Sequence, residues 1–203
     1  MIKLIASDLD GTLLNNKHEI DKESVEAIKK AESLGIIFAI STGREYESVK
    51  GLLEENNLKV QCILSNGAEY RDEEGNILEV VNINKNTVRE IIRVLDENKL
   101  SARIFTNKGI YTTSSKNEAL EEAICRVMAL NPQLSREEAH IETEKLGFFR
   151  NLKYINNIDE FLDSDIEFRK FVAFHSDIER IDNTKSILGK IDNLAVHLLL
   201  EII

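Results

Sequence analysis

The stretch Ile2-Lys3-Leu4-Ile5-Ala6-Ser7-Asp8-Leu9-Asp10-Gly11-Thr12 decides the fold class of this chain. A short apolar run ends in two aspartates, two positions apart, and a glycine follows them. On an extended backbone residues two apart point the same way, so Asp8 and Asp10 can face one pocket. Two carboxylates this close repel each other unless a cation lies between them. A hard divalent ion such as Mg²⁺ relieves that repulsion and also binds phosphate oxygens.

Two more apolar strands follow this first one, each preceded by a helix. Periodicity predicts helices over 22–34 and 45–56, and unbroken apolar runs predict strands over 36–40 and 60–64. Strand, helix, strand, helix and strand with short connections are typical of an α/β fold built on a parallel sheet.

Polar motifs stand directly after the second and third strands as well. Ser41-Thr42-Gly43-Arg44 follows one strand and Asn66-Gly67-Ala68 follows the other. A hydroxyl and a glycine where a helix begins can bind phosphate. Asn66-Gly67 taken alone is a turn signal. Ligands of open α/β sheets bind at the carboxyl ends of the strands, so the three motifs together predict one shared site.

These motifs resemble those of one enzyme superfamily. D-L-D-G-T-L at residues 8–13 resembles motif one of the haloacid-dehalogenase superfamily, and S-T-G-R at 41–44 resembles motif two. Arg44 and N-G-A at 66–68 resemble its Cof-type branch. The resemblance implies a Rossmann-like α/β core with an inserted α+β cap domain. It also implies a Mg²⁺-dependent phosphatase of small phosphomonoesters, such as sugar phosphates or phosphorylated cofactors, working through an aspartyl-phosphate.

The same resemblance assigns roles to individual residues. Asp8 is the implied nucleophile and Asp10 the general acid/base, and both are implied Mg²⁺ ligands, Asp10 through its backbone carbonyl. The residues implied to contact the phosphate or the substrate are Leu9, Gly11, Thr42, Gly43, Arg44 and Asn66.

The pattern changes after about residue 80. Hairpin-like strands grouped with helices predict a second, α+β unit. The predicted elements are helices over 87–98 and 117–130, a hairpin over 102–113 turning at 107–109, strands over 151–155, 167–174 and 194–202, and a helix between the last two strands. Residues 131–150 are expected to be irregular. By the resemblance, residues 1–82 form the core and 83–195 the cap, and 196–203 begin the return to the core, the remainder of which is absent.

The chain departs from the superfamily at its C-terminal end. The motif-three lysine and the motif-four acidic residues have no counterpart in residues 151–203. We expect strand one to be an uncovered edge with one poorly buried apolar face, and Mg²⁺ binding and turnover to be weakened. The alternative function is therefore an inactive fragment that acts at most as a binding module. A receiver-like phospho-acceptor is a third possibility, against which Gly11-Thr12 and the inserted domain count.

The overall composition limits the kinds of partner that we expect this chain to bind. A formal net charge of −10 argues against nucleic acid or an anionic membrane as the main partner. It is compatible with a small phosphorylated metabolite as partner, which needs only a local set of donors and a cation. No apolar run has the length of a membrane span. Cys62 and Cys125 lie in apolar patterns and are expected to be buried thiols, which indicates the cytoplasm. The oligomeric state is not predicted.

Overall fold

A computed structural model describes residues 2–175 and 177–197 of the chain. The chain divides into two compact units, residues 1–82 and residues 83–203. Each unit has its own sheet and its own buried apolar residues.

The first unit contains a five-stranded sheet of order β1-β2-β3-β4-β5. The first three strands are parallel, with Ala6 opposite Ala39 and Ile40 opposite Cys62. The last two strands form an antiparallel hairpin that continues the sheet from β3. The strand bounds are β1 Leu4–Ser7, β2 Ile37–Ser41, β3 Gln61–Leu64, β4 Glu69–Arg71 and β5 Ile77–Val80.

Two helices connect the parallel strands, as the sequence predicts. Helix α1 spans Lys22–Ser33 and helix α2 spans Tyr46–Asn56. Their buried apolar side chains share one core with strands β2 and β3. Helix α1 is followed by Gly35, whose φ of +75° is a left-handed conformation that glycine adopts without a steric cost. The core residues on these elements are Val25, Ile28, Phe38, Ile40, Val49, Leu53, Cys62 and Leu64.

Strand β1 lies at the edge of this sheet and, within the described residues, pairs with β2 alone. Leu4 and Ile5 point to opposite faces, and 53% and 37% of their surfaces are exposed. The sequence predicts one poorly buried face at this edge. In the structure apolar side chains are exposed on both.

The second unit contains a four-stranded sheet of order β8-β7-β6-β9. Strands β6 and β7 form the predicted hairpin, and the Thr106 hydroxyl donates to the Gly109 carbonyl across its turn at 2.7 Å. Strand β9 pairs antiparallel with β6, and β8 pairs parallel with β7. The strand bounds are β6 Ala102–Thr106, β7 Gly109–Thr112, β8 Lys153–Tyr154 and β9 Phe168–Ala173.

Helices pack on this second sheet around aromatic and aliphatic side chains. Val88 of α3, Ile104 of β6 and Phe168 of β9 lie in one buried cluster with Leu162 of α7. Leu188 of α8 lies in a neighbouring buried cluster. The helix bounds are α3 Lys85–Glu97, α4 Lys116–Leu130, α5 Arg136–Lys145, α6 Gly147–Arg150, α7 Ile158–Asp163 and α8 Ile178–Leu188.

Several sequence expectations are wrong or incomplete. Residues 131–150 are not irregular throughout, because α5 and α6 lie there. The β4–β5 hairpin and helix α7 were not predicted. Residues 194–197 form no strand, and residues 198–203 of the expected strand over 194–202 lie outside the described part of the chain.

The two cysteines have different surroundings. Cys62 is buried as predicted, and burial raises the pKa of its thiol to about 11, although the nearby Arg71 lowers it. Cys125 is exposed, so the prediction of a second buried thiol is wrong. It lies on the solvent side of α4, whose buried residues are Ala119, Ala123 and Ile124.

Candidate active site

The polar motifs of the first unit meet at one edge of its sheet. Asp8 follows β1, Thr42 follows β2 and Ser65 follows β3 directly. Because these three strands are parallel, their carboxyl ends lie side by side. Hydrogen bonds join the three loops, so the structure brings together the motifs that the sequence predicts to share a site.

The first loop turns sharply after Asp8. The backbone is extended at Asp8, has φ −73° and ψ 120° at Asp10, and has φ 74° and ψ 3° at Gly11. The last two pairs of angles are those of a type II turn, which favours glycine at its second central position. Leu9 anchors the loop, because its side chain is fully buried in the first core. Only the backbone of Leu9 is therefore expected to contact a ligand.

Arg44 reaches from the second loop to the first. Its Nε donates to Asp10 Oδ2 at 3.0 Å and its Nη2 donates to Asp10 Oδ1 at 2.7 Å. This two-point contact fixes the plane of the carboxylate as well as its position. The side chains are 28% and 53% exposed, so the pair lies at the surface and its contribution to stability is small.

The second and third loops are joined through their backbones. The Ser65 N–H donates to the Arg44 carbonyl at 2.9 Å, and the Asn66 N–H donates to the Thr42 carbonyl at 3.2 Å. Thr42 is a buried residue, and its hydroxyl accepts from the Arg44 N–H at 3.2 Å. A Cβ at Gly43 would lie 3.2 Å from Asn66 Oδ1. Glycine at position 43 therefore lets the Asn66 side chain approach the second loop closely.

The third loop has an uncommon backbone conformation. Ser65, Asn66 and Gly67 have consecutive φ values of 52°, 61° and 91°. Left-handed conformations are costly for serine and better tolerated by asparagine and glycine. The sequence pattern predicts Asn66 as a site residue but not Ser65, which is buried and whose N–H donates to the Arg44 carbonyl. The polar run directly after an apolar strand was the available signal for Ser65.

The carboxylate of Asp8 is exposed and accepts no hydrogen bond from any residue that the structure describes. It is thus accessible to a ligand and to a cation. Two hard oxygen donors, the Asp8 carboxylate and the Asp10 backbone carbonyl, suit Mg²⁺, which keeps several water ligands when proteins supply few. Residues 2–175 and 177–197 contain no group of three or more Asp, Glu, His or Cys side chains that could hold a metal. The set fits Mg²⁺ only with water and substrate oxygens completing it.

The first unit is an α/β fold with two aspartates at the carboxyl ends of its parallel strands, and the second unit is an α+β fold. Residues 5–196 match the family described as haloacid dehalogenase-like hydrolase, and the chain belongs to that family. The predicted superfamily and Cof-type branch, and the predicted α/β fold class, are confirmed.

Known proteins are similar to the chain over most of its length. It is 32% identical over 187 residues to the phosphatase YwpJ of Bacillus subtilis, a match that covers 89% of this chain and 64% of that protein. It is 30% identical over 120 residues to an HMP-PP phosphatase of Yersinia pestis, covering 59% of this chain and 44% of that protein. The chain thus spans less than two thirds of these relatives.

Solved structures have the same fold. A haloacid dehalogenase-like hydrolase from B. subtilis matches with a TM-score of 0.76 and 29% identity, covering 96% of this chain and 69% of its own. A phosphatase of the superfamily from Bacteroides thetaiotaomicron matches with a TM-score of 0.69 and 20% identity, covering 98% and 65%. Of the helices described, none is long and apolar enough to cross a membrane.

Proposed function

We propose that this chain is a Mg²⁺-dependent phosphatase that hydrolyses small phosphomonoesters through an aspartyl-phosphate. The observation that carries the proposal is the accessible Asp8 carboxylate, next to an Asp10 carboxylate that Arg44 holds in place. A nucleophile needs an open approach, whereas an acid/base group needs a fixed position. Relatives named phosphatases support the same reaction class.

The proposed reaction has two steps. One Asp8 carboxylate oxygen attacks phosphorus, and the bond from phosphorus to the ester oxygen breaks. Asp10 enters this step protonated, with one of its oxygens released from Arg44, and delivers its proton to the ester oxygen. Water then attacks the phosphorus of the aspartyl-phosphate and gives a proton to Asp10. Inorganic phosphate leaves, and Asp8 and Asp10 return to their starting states.

Thr42 is proposed to bind the transferring phosphoryl group. Its hydroxyl oxygen accepts from the Arg44 N–H, so its own proton is available to donate to a phosphate oxygen. Backbone N–H groups of Leu9, Gly11 and Gly43 are proposed as further donors to the phosphate. Asn66 is proposed to contact the substrate from the exposed end of the third loop.

Mg²⁺ is the proposed cofactor, and Asp8 and Asp10 are the residues that would hold it. When bound, it neutralises charge on the phosphate and on the nucleophile. The two-residue donor set predicts weak affinity and dependence on added metal.

The two compact units are proposed to have different roles, catalysis in the first and substrate selection in the second. Residues 1–82 are proposed as the catalytic core, 83–195 as the substrate-selecting cap, and 196–203 as the start of the return to the core. The acidic net charge and the two free cysteines support a cytoplasmic protein that acts on a small metabolite, without nucleic acid or membrane partners.

A panel of phosphomonoesters tests the function. The chain is incubated with sugar phosphates, phosphorylated cofactors and p-nitrophenyl phosphate, with Mg²⁺ or with a chelator, and released phosphate is measured. The proposal expects release that requires Mg²⁺, with one substrate class preferred. Release that is the same in the chelator would contradict the Mg²⁺ dependence.

An inactive binding module is the second candidate. The observation that favours it is the small set of metal-binding side chains in the described residues. It predicts that the chain binds inorganic phosphate or a phosphomonoester without turnover. Absence of both binding and turnover would exclude it along with the first candidate.

A further inference from the structure

The second unit carries a groove that the proposed phosphatase reaction does not use. It has a volume of about 450 Å³ and lies among helices α4, α5, α6 and strand β8. This volume is within the range of sites that hold small molecules. We define the cap groove by six lining residues: Lys116, Leu120, Phe149, Arg150, Leu152 and Tyr154.

One part of the cap groove is apolar. Leu152 is buried, and Leu120 and Phe149 are half-buried. Leu152 and Phe149 pack with Tyr154 in a small apolar cluster beneath the groove. The ring of Tyr154 adds a flat aromatic surface, and its hydroxyl makes no hydrogen bond to any residue described. A ligand with an apolar ring would bury surface here and meet one available hydroxyl.

The other part of the cap groove is cationic. Neither Lys116 nor Arg150 forms an ion pair with a described residue, although acidic side chains are abundant in this chain. Some other cations of this unit are paired, as Arg136 is with Glu121 and Lys145 with Glu142, whereas Lys99, Lys185 and Lys190 form no ion pair with a described residue.

One acidic residue also lines this space. It is Glu144, whose Oε1 lies 3.8 Å from His140 Nε2 on the same helix. Two cations without an ion pair to a described residue therefore line the groove, together with one carboxylate. Charge complementarity favours an anionic ligand.

We propose that the cap groove binds a small organic anion with a flat apolar body, such as an aromatic sulfonate, carboxylate or phosphate. Lys116 and Arg150 would contact the anionic group, and Leu120, Phe149 and Tyr154 would contact the ring. This inference stands apart from the proposed phosphatase reaction, because it rests on residues of the second unit alone.

The test titrates naphthalene-1-sulfonate into the isotopically labelled 203-residue chain and follows backbone amide resonances. We expect one saturable site, with shifts concentrated at residues 116–120 and 149–154 and none at residues 8–12. Lys116→Glu and Arg150→Glu should each weaken affinity by about tenfold or more. Lys190→Glu makes the same charge change at an exposed lysine outside the groove and should leave affinity unchanged.

Two further measurements complete the test. The neutral analogue naphthalene-1-methanol should bind about tenfold more weakly than the sulfonate. Circular dichroism checks that each variant is folded. If Arg150→Glu does not fold, Arg150→Gln is used in its place. The proposal is overturned if no saturable binding occurs below about 10 mM. It is equally overturned if the groove variants bind like the parent chain or if the shifts fall elsewhere.

Discussion

The guanidinium of Arg44 holds both carboxylate oxygens of Asp10, with distances of 2.7 Å and 3.0 Å. The sequence motif implied a contact of Arg44 with the substrate, whereas the observed partner is another residue of the site. The Arg44 backbone is itself held by the Ser65 N–H and by the Thr42 hydroxyl. We therefore propose Arg44 as a positioning residue that acts through Asp10.

Leaving-group dependence tests this role. A p-nitrophenolate leaves with little help, whereas an alkoxide needs a proton from the general acid. Arg44→Ala should slow hydrolysis of an alkyl phosphate about tenfold more than that of p-nitrophenyl phosphate, measured as kcat with each substrate. Arg44→Lys keeps the charge without the two-point contact and should recover only part of the loss.

A double variant provides the control for Arg44. If Arg44 acts through Asp10, adding Arg44→Ala to Asp10→Asn should cost little beyond Asp10→Asn alone. Equal losses on both substrates, together with additive effects in the double variant, would instead assign Arg44 to the phosphate.

Position 11 requires glycine because of its left-handed backbone conformation, not because a side chain there would clash with neighbouring atoms. Its φ is +74°, and a Cβ at this position would meet no atom within 4 Å. Gly11→Ala should lower the free energy of unfolding of the first unit by about 1–2 kcal/mol, measured by urea denaturation. Gly11→Asn should lose less, because asparagine tolerates the left-handed region better. Equal losses for alanine and asparagine would contradict this explanation.

The loops at the strand ends were predictable because each has a short-range signal. An apolar run followed by Asp8, Thr42 or Asn66 identifies both the strand end and the polar group. The two-point contact between Arg44 and Asp10 joins residues that are 34 positions apart in the sequence. A local sequence pattern cannot predict which of several nearby groups a long, flexible arginine side chain contacts.

Other misses have physical reasons. The β4–β5 hairpin has short strands with partly exposed side chains, so it lacks a clear alternation of apolar and polar residues. Its turn is held by the Asp72 side chain, which accepts from the Glu74 and Asn76 N–H groups. Helix α5 is polar and buries only Ala139 and Thr143, so apolar periodicity could not reveal it.

Helix α5 does have a start signal, at Ser135 and Glu138. The two residues form a capping box, with Ser135 Oγ accepting from the Glu138 N–H at 3.3 Å and Glu138 Oε2 accepting from the Ser135 N–H at 2.9 Å. Ser135→Ala should destabilise the second unit by about 1 kcal/mol in urea denaturation. Thr113→Ala removes an exposed hydroxyl without a described partner and should have little effect. A Ser135 variant as stable as the parent would argue against this helix start.

The two thiols should differ in reactivity. Burial raises the pKa of Cys62 to about 11, so near pH 8 it stays protonated and shielded, whereas Cys125 is exposed. Titration of the native chain with Ellman's reagent should modify one thiol, and titration in denaturant should modify two. The Cys125→Ser variant should show none in the native state. Rapid modification of Cys62 in that folded variant would contradict the described core.

The central claim is that Asp8 carries the phosphoryl group. The most direct measurement incubates the chain with a ³²P-labelled phosphomonoester and Mg²⁺, quenches it in acid, and locates label on the protein by peptide mapping. We predict label on the peptide containing Asp8, together with phosphate release, and loss of both in Asp8→Asn. Label or turnover that persists in Asp8→Asn, or an unaltered chain that neither acquires label nor releases phosphate, would contradict the account.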